Sequence, residues 1–227
     1  MTTATRTRTD EEVQRDVLDE LQWDARVQPN EIGVAVRDGV VTLMGWVDNY
    51  GKKWAAERTA HRVRGVTAVA NDVEVRLPSA HQRTDTDIAA AATGTLEWDA
   101  FVPIERLDVT VTRGWLTLKG EVEWEFQRRA AEQSVRRLAG VRGVTNLIAV
   151  QPRINPSPTE LRRRLTDALR RSAETDPRRV TVDTDGGTVL LGGTVRSWVH
   201  RAEAERISWC APGVTAVQND ITVDPGA

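Results

Sequence analysis

The side chains able to transfer protons, attack as nucleophiles or hold metals are few here: three histidines, one cysteine and a scatter of carboxylates among 227 residues. Catalysis needs such groups at short, defined separations, each oriented by a partner. His61, His81 and His200 stand alone in the sequence, and none has a second histidine at a metal-binding interval. Each reads as a surface or capping histidine. Cys210 has no second cysteine to bond with and reads as a small, partly buried helix residue in a reducing compartment. Asp183-Thr184-Asp185-Gly186 starts like a calcium loop, but the remaining ligands do not follow, so it reads as a turn. The glycines form neither a Walker cradle nor a dinucleotide fingerprint. No metal, no cofactor and no catalytic residue is expected.

Two features suit binding better. LRRRLTDALRRS places Leu161, Leu165 and Leu169 on one helical stripe and Arg162, Arg163, Arg164, Arg170 and Arg171 around the rest. A basic amphipathic helix fits an anionic lipid surface. The chain's formal net charge of −2 gives no global field for nucleic acid, and no nucleic-acid partner is expected. The second feature is aromatic: eight tryptophans against one tyrosine and two phenylalanines. Trp46, Tyr50, Trp54, Trp115, Trp124, Phe126 and Trp198 fall where a small core does not need them. They are expected to pack module against module or chain against partner.

The elements that must carry these residues repeat. GVVTLMGWV begins at 39, GWLTLKGEV at 114 and GTVLLGGTV at 187, steps of 75 and 73 residues. At those offsets Val13, Val17 and Leu21 match Ile88, Ala92 and Leu96, then Leu161, Leu165 and Leu169, the i, i+4, i+8 face of a helix. Alternation over Ile32, Val34 and Val36 and its counterparts predicts a strand, and Asp38-Gly39, Arg113-Gly114 and Gly186-Gly187 predict hairpin turns into a second strand. Gly45, Gly120 and Gly193 end that strand's motif. An alanine-containing helix follows and stops at Gly65, Gly140 and Gly213, before a third strand carrying Asn71, Asn146 or Asn219. Those asparagines, on a strand's buried side, are expected to tie strand to helix, while Glu57, Glu132 and Glu205 read as a solvated face or arginine partners.

The predicted class is α+β: three tandem αββαβ two-layer sandwiches, each a three-stranded mixed sheet with two helices on one face, spanning 9–76, 84–151 and 157–224. The uncovered sheet faces are expected to pack together. The VTLMG, LTLKG and VLLGG strand ends, with GVTAVAND, GVRGVTN and GVTAVQND after the helix, resemble the BON (bacterial OsmY and nodulation) domain family. That resemblance implies the αββαβ fold and association with osmotic stress, envelope integrity and, for some members, anionic phospholipid. The expectation is a non-catalytic scaffold acting through an unidentified protein partner or self-association, with attachment to anionic phospholipid. An enzyme or small-ligand sensor with a site between modules is the competing reading. With no apolar leader after Met1 and no apolar run near ~20 residues, a cytoplasmic protein, peripheral to membrane if it touches one, is expected.

Overall fold

The computed structural model describes residues 8–27, 31–154, 156–172 and 179–224. Module one comprises α1 (Asp10–Trp23), β1 (Ile32–Arg37), β2 (Val40–Val47), α2 (Tyr50–Arg62) and β3 (Ala68–Val75). Module two repeats it as α3 (Asp85–Trp98), β4 (Leu107–Thr112), β5 (Trp115–Val122), α4 (Glu125–Val135) and β6 (Gly143–Val150). Module three is α5 (Pro158–Arg171), β7 (Val180–Asp185), β8 (Thr188–Val195), α6 (Trp198–Trp209), β9 (Ala216–Asn219) and β10 (Thr222–Val223). In every module the hairpin strands are antiparallel, and the strand after the second helix runs parallel to the middle strand. β9 and β10 are two parts of one such strand, both parallel to β8.

Each first helix starts on a side-chain cap. Thr9 and Thr84 form reciprocal capping boxes with Glu12 and Asp87, and Ser157 accepts from the Glu160 amide with Pro158 in the first turn. The buried stripes are Val13, Val17, Leu21; Ile88, Ala92, Leu96; and Leu161, Leu165, Leu169. They meet the inward residues of the middle strands, Val41, Leu43 and Val47 in module one, Leu116, Leu118 and Val122 in module two, and Val189, Leu191 and Val195 in module three. Three separate hydrophobic cores result. Every fully buried leucine contributes about 1.5–3 kcal/mol, yet a module of this size is marginal by itself.

The two repeated glycines have geometric causes. Gly45, Gly120 and Gly193 lie at φ +122°, +128° and +109°, and a Cβ at any of them would overlap the carbonyl of Glu31, Arg106 or Arg179, the residue just before the neighbouring strand. Gly65, Gly140 and Gly213, after the second helix, also have positive φ and press on the start of the first helix. A clasp that the sequence did not announce fixes the hairpin: Asp10 accepts from the amides of Asp38 and Gly39 at 2.8 and 3.0 Å, and Asp85 from Arg113 and Gly114 at 2.7 and 2.8 Å. In module three Pro158 replaces that aspartate, and its carbonyl accepts from the Thr184 hydroxyl instead.

The repeated asparagines tie strand to helix in all three copies. Asn71, Asn146 and Asn219 donate to Glu57, Glu132 and Glu205 at 2.9, 3.3 and 3.0 Å and to a carbonyl one turn earlier, and accept from the amide two residues on. The repeated glutamates are thus structural partners of asparagine, because both lie where the second helix crosses the third strand.

Candidate functional site

The modules meet through their second helices, and among the described residues the expected packing of sheet on sheet is absent: Val40, Met44 and Trp46 on β2 and Trp115 on β5 remain exposed. Trp46 lies 5.9 Å beneath the Arg76 guanidinium, and Trp115 donates to the Thr145 hydroxyl at 2.7 Å, both within their own modules. Helices with small inward residues, Ala55, Ala56 and Ala60 in α2, sit close to their own sheet and turn their larger side chains sideways to a neighbour.

Three junctions use equivalent positions. Tyr50, the first residue of α2, packs on the core of module two, where the Val144 backbone acts on its hydroxyl. Burial pushes its phenol up, and the Glu132 carboxylate adds to that. Trp198, the same position in α6, packs on the core of module one, donating from Nε1 to the Thr67 carbonyl at 3.0 Å and lying 4.5 Å from the His61 ring. In α4 the position is Glu125, 4% exposed, paired with Arg128 at 2.6 Å and Arg129 at 3.0 Å. Arg128 in turn lies 5.1 Å over Trp209, which packs on the cores of modules two and three. His61, Arg136 and Trp209 are themselves equivalent in the repeat. Arg136 stacks 3.5 Å from the Trp54 ring across the first junction, and burial holds its guanidinium below the ordinary value.

The contacts run one to two, two to three and three to one in the same sense. A heterologous contact whose rotation closes makes a ring. The modules therefore form a head-to-tail ring with quasi-threefold symmetry, and equivalent residues share a rim. By that symmetry the last residues of the three first helices, Trp23, Trp98 and Arg171, belong to one rim, the tryptophans 85% and 91% exposed.

Of the aromatic candidates, Tyr50, Trp54 and Trp198 lie at junctions. Trp124 is half-buried as the N-cap of α4, and exposed Phe126 meets Phe101 edge-on at 5.7 Å within module two. The arginine helix is exposed, and its charges meet acids at the surface: Arg162 with Asp183 and Arg163 with Asp167 at 3.8 Å, Arg170 with Asp167 at 3.9 Å, and, closely, Arg164 with Glu160 at 2.5 Å. Arg163, Arg164, Arg171 and Arg206 line an open cleft of about 680 Å³ between α5 and α6, with Asp167 and Glu203 between them and Cys210 at its end. A smaller cleft, about 320 Å³, lies between modules one and two beside Asn49, His81 and Arg137, where Asn49 is already engaged in capping α2. The Nδ1 of His200 meets the Ser197 hydroxyl at 2.6 Å in a helix cap. Among the described residues no three His, Cys, Asp or Glu side chains gather as a metal site.

Sequence reasoning missed Asp24. It is nearly buried, held by Arg26 at 2.6–2.8 Å and by the Thr59 hydroxyl at 3.0 Å, which keeps its carboxyl far below the usual range despite burial. Asp99 and Ser134 repeat the contact at 2.6 Å. The signal was available, since both pairs fall in register, but a single acidic residue after a helix looks like any other cap.

Three small αββαβ sandwiches on one chain, closed into a ring by non-covalent contacts, define a repeat protein of two-layer modules. Residues 9–76, 84–152 and 157–225 each match the BON domain, and the chain belongs to the BON domain family. It is 29% identical over 126 residues to the osmotically-inducible protein Y of Escherichia coli (strain K12), a match spanning 53% of this chain and 62% of that protein, less than two thirds of its length. Two solved structures of CdsD, described as a structural protein of the type III secretion system of Chlamydia trachomatis, are 14% identical. One covers 92% of this chain and 91% of its own, and the other, the C-terminal domain, 93% and 96%; both have a TM-score of 0.27, too low to carry an argument. Among the described residues no helix is long and apolar enough to cross a membrane.

Proposed function

We propose that this chain is a non-catalytic binding scaffold of the osmotic stress response that attaches to anionic phospholipid surfaces through one rim of its ring. The relation to osmotically-inducible protein Y supports the stress context. One observation carries the attachment: the exposed Trp23 and Trp98 end the helices equivalent to the arginine-rich α5, so a quasi-threefold ring turns all three the same way. Indole rings suit the headgroup layer, and arginines suit its phosphates. The acid partners of the α5 arginines form surface ion pairs worth at most about 1 kcal/mol each, so phosphate oxygens can replace them. The other rim and the bare sheet faces are left for protein partners or a second copy.

Liposome flotation tests this reading. Vesicles containing phosphatidylglycerol should carry the full chain upward, and vesicles of phosphatidylcholine alone should not. Recovery should fall on changing Arg162, Arg163 and Arg164 to Glu, and also for Trp23→Ala with Trp98→Ala. Equal recovery with both vesicles, or indifference to the arginine changes, removes the lipid reading.

A further inference from the structure

The third junction, which closes the ring, rests on one indole. Trp198 holds its place by donating to Thr67, with His61 against its ring at 4.5 Å and an interplanar angle of 56°. The Arg201 guanidinium lies 4.5 Å from the same ring and cannot move off easily, because it donates to the Asn219 and Ile221 carbonyls at 2.6 and 3.0 Å. Nδ1 of His61 is buried with no hydrogen-bond partner among the described residues.

A neutral imidazole tolerates this site with little penalty. An imidazolium would bury an unsatisfied N–H donor and bring a second cation to an indole already occupied by Arg201. Glu57, one turn back on α2, is the opposing charge, and its carboxylate accepts from Asn71. The last turn of α2 also favours a cation, but weakly at a surface helix end.

We infer that His61 and Trp198 form an acid-sensitive latch: the junction of modules three and one is closed while His61 is neutral, and protonation of His61 opens it with the three cores intact. Burial, with Arg201 adding and Glu57 opposing, holds the imidazole below its ordinary value. Since the closed form binds the proton less readily than the open form, closure is complete above the free imidazole range near pH 6.5 and weakens as pH falls below it. The equivalent positions hold Arg136 and Trp209, which keep their charge states over that range, so the latch has no counterpart at those positions.

Exchange of the Trp198 indole N–H, followed by NMR on the full chain with the exposed Trp23 indole as reference, reads the latch directly. At pH 7.5 Trp198 should exchange roughly tenfold or more slower than Trp23, and at pH 5 the two rates should converge. His61→Gln should keep Trp198 protected at pH 5. An unchanged ratio in the unsubstituted chain, or equal loss of protection in His61→Gln, overturns the latch. Should that variant unsettle α2, the His61 ring resonance of the unsubstituted chain decides: a midpoint below the free imidazole range supports the latch, and one within or above it overturns it.

Discussion

At the residue scale, polar side chains at helix boundaries hold each module together. Asp24 stands at the end of α1 where its own helix, the following turn and α2 converge, and it engages Arg26 and Thr59 together. Its folded-state carboxyl is depressed, so its contribution is fully present above the unfolded value near 3.9 and is lost as pH falls below that. Asp24→Asn should therefore cost about 1–3 kcal/mol at pH 7, and the gap from the unsubstituted chain should narrow toward pH 2.5. Urea unfolding at the two pH values checks both statements. His61 is the opposite case, a base kept neutral, and it sits at a junction where titration alters assembly instead of a core.

At the element scale, β2, β5 and β8 are the organisers, each pairing on both edges and carrying the glycine that permits close approach of the preceding strand's start. Gly45→Ala should destabilise by about 2 kcal/mol or more, since φ is +122° and the added carbon meets the Glu31 carbonyl. Gly94→Ala, in the interior of α3 with open space around it, should stabilise by about 0.5–1 kcal/mol. Thermal melts of the two variants should shift in opposite directions.

These elements were legible because period and register are local. Val13, Val17 and Leu21 announce a helix face, and three glycines in step announce a constrained strand end. Which faces meet at the junctions was not legible, although Tyr50, Trp54 and Trp198 were among the aromatics expected to pack module against module. A sheet face bearing Val40, Met44 and Trp46 invites a cover, whereas α2 shows only small residues inward, Ala55, Ala56, Thr59 and Ala60, and mixed side chains elsewhere. The repeat offsets make Tyr50, Glu125 and Trp198 equivalent, but three chemistries at one position give no shared pattern that marks it as a contact. The clasp of Asp10 on the hairpin turn was hidden for a related reason: an acidic residue in a first helical turn already satisfies the helix dipole.

At the scale of the whole molecule, tying three marginal modules into one ring lets each bury aromatic surface against the next. Trp198 and Tyr50 each add apolar area to a neighbouring core, and Trp209 adds to two. The ring also sets what the outside offers: bare sheet faces outside the junctions, and one rim where two tryptophans and the arginine helix align. Binding at that rim and acid opening at the third junction both presuppose that the modules are held in fixed relation.

Small-angle X-ray scattering of the full chain at neutral pH measures that relation most directly. A closed arrangement of 227 residues should give a radius of gyration of about 17–19 Å with one compact maximum in the distance distribution. A radius above roughly 22 Å, with a second maximum from separated modules, would mean that three sandwiches move independently on their linkers and that the ring is not the protein's arrangement.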